Sequence, residues 1–406
     1  MASIRPFRAL RPVPDVAPRV SSVPYDVVST EEARAQADGN PLSFLHVTRP
    51  EIDLPPGTDP HSDPVYAQAV RNFEELKQAA PLVLEPEPSF YFYRLGTGSH
   101  QQTGLAACYS LDEYDQGLIK KHEHTRRDKE DDRTRHMIDL RAQTGVVFLT
   151  YRASAEVDAI AGRACMTPPL YEFTAADGVT HTLWRVDAED GSALAAAFGH
   201  LPALYIADGH HRAASAARAR SVLREKGNGT GELDTMLAVA FPDDQVQILP
   251  YNRIVKDLAG QSPEAFLSAV EAKLPVRPGG PSPARQGETS MYLGGRWYTL
   301  DLGAVRPPGA DRIGGLDVSL LQRAVLAEIL MIGDVRSDPR IDFVGGARGT
   351  AALEQAVNGG RAAVAFSMFP VTVDDLMAIA DAGGIMPPKS TWFEPKLRDG
   401  LLVHLI

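Results

Sequence analysis

The chain has 406 residues, 44 % of them hydrophobic and 23 % charged, which is the composition of an ordinary globular protein with room for roughly two or three cores. Its 41 lysines and arginines against 52 aspartates and glutamates leave a formal charge of −11, and this disfavours a general nucleic-acid binder, whose surface must be basic to displace counterions. The only cysteines, Cys108 and Cys165, lie far apart in apolar or alanine-rich segments, so neither a disulfide framework nor a zinc ribbon is expected and the compartment reads as reducing. No apolar leader follows Met1 and no uninterrupted apolar run is long enough to span a bilayer, so the expectation is a cytoplasmic protein with no membrane partner.

Residues 4–10 alternate apolar and basic as a half-buried strand does, and prolines 12, 14 and 18 then force an extended connection. Ser29 with Glu32 makes a capping box for a helix over 30–38, which Gly39-Asn40-Pro41 stops. Residues 42–48 read as a strand, 50–62 as a surface loop, and Asp63-Pro64 opens a helix to about Ala80. A hairpin is expected over 90–110, then a charged helix over 126–143, a buried strand at 146–151 and a helix at 155–165. Residues 170–186 form a hairpin around Asp177-Gly178, and 192–198 a short helix. A strand, turn and helix then occupy 204–226, the helix ending at Gly227-Asn228-Gly229, and strands are expected at 236–241 and 245–255. Beyond Asp257 come a helix to about 274, a proline- and glycine-rich loop at 275–287, a hairpin at 291–302, and a helix at 318–331. A strand at 341–344, a helix at 349–357, a strand at 362–368 and a last strand over 401–406 complete the chain. The class is α+β (mixed α/β), divided as residues 1–116, 117–255 and 256–406.

The most informative stretch is Leu204-Tyr205-Ile206-Ala207-Asp208-Gly209-His210-His211-Arg212-Ala213. An apolar run ends in a polar turn and becomes alanine-rich, the pattern of strand, tight turn and helix. The N–H groups opening such a helix lack intrahelical acceptors and sit at the positive end of its dipole, so an anion, most often a phosphate, is favoured there. Gly209 lets a ligand approach the backbone, Arg212 offers a planar fork for phosphate, His210 and His211 add donors or metal ligands, and Asp208 can hold a divalent cation or take a proton. The plain alternative is a capped helix with a polar first turn facing water.

Two further clusters carry chemistry. In Lys121-His122-Glu123-His124-Thr125, just before the charged helix, Glu123 is a candidate general base; the alternative is a solvated loop laced by pairs such as Arg127 with Asp131. A zinc-protease reading fails, because His122 and His124 are two apart and not at the i, i+4 spacing that puts two ligands on one helical face. In the stretch from Met386 to Leu397 three prolines stiffen a loop that holds Lys389, Lys396, Trp392 and Phe393. The lysines could reach phosphate oxygens and an aromatic could pack on a flat ring, or the segment could simply staple the chain end to the body.

The order Ile119-x-x-His122-Glu123-x-Thr125, a charged helix, an apolar strand and then Ile206-x-Asp208-Gly209-His210-His211-Arg212-x-x-x-Ala216 resembles the ParB/sulfiredoxin-like core, and within it the free L-serine kinases. The whole chain, including Pro24-Tyr25-Asp26-Val27-Val28 and Met386-Pro387-Pro388-Lys389-Ser390-Thr391, resembles the full-length family known as domain of unknown function 1015. The resemblance implies a metal-dependent phosphotransferase that moves a phosphoryl group from ATP or ADP, with Mg²⁺, to a small hydroxyl metabolite, with free L-serine giving O-phosphoserine as the leading acceptor. Glu123, Asp208 and His210 are then the catalytic residues, Asp208 also holding the metal. Gly209, His211, Arg212, His122 and Lys389 bind phosphate or nucleotide, and Asp26 and Trp392 are candidate substrate contacts. The partners implied are a small molecule and a nucleotide; a homo-oligomer is left open. Two alternatives stand beside this reading: a ParB-like regulator that binds CTP or ATP without transfer, and a metal-dependent nuclease. Sulfiredoxin chemistry is disfavoured because its motif needs a cysteine where His210 stands.

Overall fold

A mixed sheet, nine-stranded among the described residues, organises the unit formed by Met1–Val246 with Pro395–Ile406 in the computed structural model, which describes residues 2–79, 82–227 and 231–406. Its order runs Ile119–Lys120, Leu204–Asp208, Val147–Tyr151, Thr235–Pro242, His100–Ser110, Tyr91–Thr97, Thr180–Arg185, Tyr171–Thr174, with Ile4–Arg5 added on His100–Ser110. Two neighbouring pairs are parallel, Leu204–Asp208 with Ile119–Lys120 and Thr235–Pro242 with Val147–Tyr151; the others are antiparallel. Val147–Tyr151 and Thr235–Pro242 are buried at every position, the mark of strands covered on both faces. Strands from the first 116 residues and from 117–246 therefore share one ladder.

The helix His210–Glu225 lies on this sheet through Ala213, Ala216 and Ala219, which pack in one apolar core with Leu105, Ala107, Leu149 and Ala238. The alanines of the helix let it approach the sheet closely, and this sets the depth at which the start of the helix sits. Its expected end at Asn228 and Gly229 lies outside the described residues. A second core, around Phe44, Val47, Phe73, Leu140 and Val403, gathers the N-terminal helices and the chain end.

Gln247–Glu394 forms the other unit. Its six-stranded antiparallel sheet runs Val276–Pro278, Arg296–Asp301, Glu288–Leu293, Val364–Met368, Tyr251–Val255, Ile341–Gly345. A separate ribbon pairs Gln247–Leu249 with Trp392–Glu394.

Several local expectations hold. Ser29 and Glu32 form the capping box of the helix Thr30–Ala37, and the hairpin expected over 90–110 is the antiparallel pair Tyr91–Thr97 and His100–Ser110. Others change. Residues 42–48 are not a strand: Leu45–Thr48 is a single helical turn, with Leu45, Val47 and Thr48 all buried, so tertiary packing decides the conformation of a short apolar run. The helix expected over 318–331 is Asp317–Leu321 followed by a wider π-helical stretch, Gln322–Ala327. The helix Val373–Asp381 is additional to those expected, although Thr372 and Asp375 form its capping box. Among the described residues no helix is long and apolar enough to cross a membrane.

Candidate functional site

The strand Leu204–Asp208 is buried along its length until Asp208, and its register against Val147–Tyr151 slips between Ile206 and Asp208. The extra residue is a bulge, which re-aims the side chain beyond it. Gly209 then adopts φ 92°, a left-handed conformation that residues with a Cβ rarely take, so the turn needs glycine. The helix His210–Glu225 has no side-chain N-cap, and its first backbone bond runs from the Ala213 N–H to the Gly209 carbonyl at 3.0 Å. The amides of residues 210–212 are thus left without intrahelical acceptors, as the sequence implied. Asp208 stands beside them. Its Oδ1 accepts the Gly209 N–H at 3.0 Å and its Oδ2 accepts Lys396 Nζ at 3.0 Å. Burial works to raise the Asp208 carboxyl pKa, but Lys396 and then Arg212 outweigh it and hold the group below the usual carboxylate range.

The tandem histidines fasten the Glu123 loop to this turn at two points. The His122 N–H donates to His210 Nε2 at 3.3 Å, and the Arg126 N–H donates to His211 Nε2 at 3.0 Å. The two clamped amides are four positions apart, and Glu123 lies between them. Because each Nε2 accepts, each neutral ring carries its proton on Nδ1. His210 Nδ1 therefore presents an N–H toward Glu123 Oε2, 4.0 Å away. Burial lowers the pKa of both rings, His210 most strongly, with neighbouring His122 adding to the effect there. His122 is 1 % exposed and packs edge-on against His210, ring centroids 4.4 Å apart. Among the described residues neither of its ring nitrogens reaches a partner at full hydrogen-bond geometry, and burial pushes the ring down to about 4 against the opposing Ile206 backbone and Asp208.

Arg212 turns inward. It is 3 % exposed; Nη1 donates to the Val146 carbonyl at 2.7 Å and Nη2 donates to both Asp26 oxygens at 2.9 and 2.8 Å. Tyr25 sits between two guanidinium groups, Arg133 at 4.3 Å and Arg212 at 5.8 Å from its ring centroid. Burial works against the charge on Arg212, but Asp26, Asp208 and Asp399 together keep it firmly protonated. Asp399 is 1 % exposed; burial pushes its carboxyl up to about 7, with Arg212 opposing and Asp26 adding to the rise.

The structure thus brings together Asp26, His122, Glu123, Asp208, Gly209, His210, His211 and Arg212. Lys389 and Trp392 belong to the other unit. There the Lys389 carbonyl accepts from Arg253 at 3.0 Å, and Trp392 packs edge-on against Tyr251 and donates to Glu394 at 2.8 Å. The lysine that reaches Asp208 is Lys396, which the sequence offers beside Lys389 as a possible phosphate contact but not as a partner of Asp208, and Asp399 is not among the residues expected. A signal exists for both: Lys396-Leu397-Arg398-Asp399 is a charged cluster in an otherwise apolar C-terminal stretch.

For a divalent cation, Asp208 offers an ionised and partly exposed carboxylate, whose Oδ2 is reached by an ion only in exchange for Lys396. His122, Glu123 and His210 also offer ligand atoms within 4.8 Å of one another. That trio fits less well, since His210 Nε2 already accepts an amide and its Nδ1 carries the proton.

No curated protein matches the chain. Several solved structures are similar over most of their length, three of them as follows. SbnI with C-terminal truncation, from Staphylococcus aureus, is 12 % identical over 74 % of this chain and 87 % of that one, with a TM-score of 0.40. A conserved hypothetical protein from Pyrococcus furiosus is 14 % identical over 74 % and 95 %, TM-score 0.35. A free serine kinase in complex with AMP is 12 % identical over 76 % and 94 %, TM-score 0.34. The family model described as "Protein of unknown function (DUF1015)" matches residues 4–319, and the chain belongs to that family.

Proposed function

We propose that this protein is a metal-dependent phosphotransferase that moves a phosphoryl group from ATP or ADP to the hydroxyl of a small metabolite, with free L-serine the leading acceptor. The observation that carries the reading is the double clamp: His210 and His211 tie the Glu123 loop to the helix whose open amides lie just beyond Asp208. An acid able to take a hydroxyl proton and an anion-binding helix start are thereby held side by side. Phosphoryl transfer asks the protein mainly to position reactants and neutralise charge. In this reading the open amides of residues 210–212 receive the phosphates, Asp208 holds Mg²⁺, and Glu123 takes the acceptor proton. His210 directs its Nδ1–H toward Glu123 and so orients it. Arg212, whose two Nη atoms are engaged by the Val146 carbonyl and Asp26, holds the turn in shape. The L-serine assignment rests on the sequence resemblance to the free serine kinases.

The test is direct. The protein is incubated with ATP, ADP or CTP, Mg²⁺ and a panel of small hydroxy compounds, and products are read by mass spectrometry. A phosphorylated acceptor is expected. Nucleotide binding with no transfer to any acceptor would favour the regulatory alternative, and no nucleotide binding would remove the phosphate reading of the turn.

A further inference from the structure

The segment Pro395–Ile406 rejoins the first unit after the chain has completed Gln247–Glu394, and it delivers two charged residues to the Asp208 turn. One is fixed. Asp399 is 1 % exposed, and its backbone exchanges two hydrogen bonds with Ser22, at 3.1 and 3.0 Å. The next residue, Gly400, takes φ 87° where a Cβ would stand 2.8 Å from the Phe44 ring, so the chain path here is tightly set. The other residue is a long rotatable side chain anchored three positions upstream: Lys396, whose ammonium donates to Asp208 Oδ2 at 3.0 Å. The Lys396 and Asp208 side chains are 14 % and 29 % exposed.

This contact conflicts with a metal. A divalent cation on Asp208 Oδ2 would have to displace the ammonium or share the oxygen with it at a separation where two cations repel strongly. In the resting chain Lys396 supplies the positive charge in direct contact with Asp208, with Arg212 adding to the balance from further away. Once a doubly charged ion takes over that role, the contact with Asp208 turns repulsive and the flexible stem lets the ammonium move. The neighbouring negative charge would then be on phosphates bound at the amides that begin two residues after Asp208.

We propose that Lys396 is a phosphate ligand that exchanges partners, neutralising Asp208 in the resting protein and moving to the phosphate oxygens of a nucleoside di- or triphosphate when a divalent cation occupies Asp208. The inference rests on the phosphotransfer reading of the same site and adds to it a residue from outside the matched family span.

The test compares the full-length wild type with Lys396→Met and Lys396→Arg, using Mn²⁺ followed by electron paramagnetic resonance and ADP followed by calorimetry. Lys396→Met should bind Mn²⁺ alone about tenfold more tightly and bind ADP in the presence of Mn²⁺ about tenfold more weakly, while Lys396→Arg keeps ADP affinity within about threefold. Tighter Mn²⁺ with unchanged ADP would make Lys396 a counter-ion only and overturn the exchange; so would two unchanged affinities. Should Lys396→Met fail to fold, reductive methylation of the wild type read by mass spectrometry decides. Mn²⁺ alone should raise labelling of Lys396 and added ADP should lower it again, whereas constant labelling while both bind refutes the proposal. Wild type that binds neither Mn²⁺ nor ADP would sink the phosphotransfer reading itself, a result separate from any behaviour of the variants.

Discussion

Replacing Arg212 by methionine keeps most of the side-chain volume and removes the charge from the centre of the site. The guanidinium makes one bond to the Val146 carbonyl and two to Asp26, and it is 3 % exposed. Removing the cation from a buried, hydrogen-bonded cluster costs about 3–5 kcal/mol, here because Asp399, 1 % exposed, and the Val146 carbonyl lose their positive neighbour. At about 2–4 °C per kcal/mol for a unit of this size, the thermal midpoint should fall by about 6–20 °C. Asp26→Asn is the contrast. The Asp26 side chain is 38 % exposed, so screening reduces its share, and Arg212 keeps Asp208 and Asp399 nearby; a loss of about 1 kcal/mol is expected.

The pH dependence sharpens the comparison. Burial raises the folded pKa of Asp399 to about 7, against the ordinary 3.8, and Arg212 opposes that rise. A raised folded pKa means stability that is complete below the unfolded value and is lost as pH rises through the folded one. Without Arg212 the Asp399 pKa climbs further and the loss extends to higher pH, so the deficit of Arg212→Met should be larger at pH 8 than at pH 5. Urea denaturation at both pH values, followed by tryptophan fluorescence and circular dichroism, measures it. A variant with a wild-type midpoint and only weakened nucleotide binding would show that Arg212 faces the ligand and that its inward pairing does not describe the resting protein.

Glu123→Gln should leave ADP affinity within about threefold and lower turnover by roughly 10²–10⁴, the range a general base supplies; full activity would move that role to Asp208 or Asp26. His211→Phe strips the Arg126 amide of its acceptor, so amide exchange over residues 122–126 should accelerate and stability fall by about 1 kcal/mol, with turnover hurt more than ADP binding. An unchanged exchange rate would mean the loop is held by other contacts. His136 and His181 are both pushed down to about 3, His136 by burial and then Arg133, His181 by burial and then Arg398. Depressed folded values place their stabilising effect above pH 6.5, so between about pH 6.5 and 3 each should cost up to about 1.4 kcal/mol per unit. His136→Gln should make the fall in urea midpoint between pH 7 and 5 shallower, and a parallel pH profile would refute the assignment.

The strand, turn and helix around Asp208 are legible in the sequence because each is a local matter: an apolar run, a glycine able to take positive φ, and small residues at helical spacing. The placement of Arg212 in the first helical turn comes from the same run. The uses of these residues are not legible. Arg212 is expected on phosphate, yet its partner Asp26 lies 186 positions away. The tandem histidines are expected as phosphate or metal ligands, yet each accepts a backbone N–H from a loop more than 80 residues upstream. Periodicity and capping rules report on neighbours within one or two turns; they carry no information on which distant amide a ring nitrogen will meet. The proline-rich stretch shows the same gap. It contains two lysines seven positions apart, and only the fold distinguishes Lys389, which stays with Gln247–Glu394, from Lys396, which reaches Asp208.

That division comes from how the second unit is joined to the chain. Gln247–Leu249 and Trp392–Glu394 pair as antiparallel strands, so the chain enters and leaves this unit along one zipped ribbon. An insertion closed in this way adds little loop entropy to the docking of the returning segment, since its ends are already together. The residues after it can therefore serve the first unit as if they were joined directly to Val246, and they do: Leu397, Leu401, Leu402 and Val403 are all buried there. Asp26, Glu123, Asp208, His210 and Arg212 lie within the matched family span, residues 4–319, whereas Lys396 and Asp399 lie beyond it. The charge balance is split accordingly. The turn's amides and acids come from the matched span, and the cation that holds Asp208 below its ordinary pKa comes from the returning segment together with Arg212. A chain with the same turn and no returning lysine would leave Asp208 with one positive neighbour fewer, and that site would call for a metal ion even before nucleotide arrives.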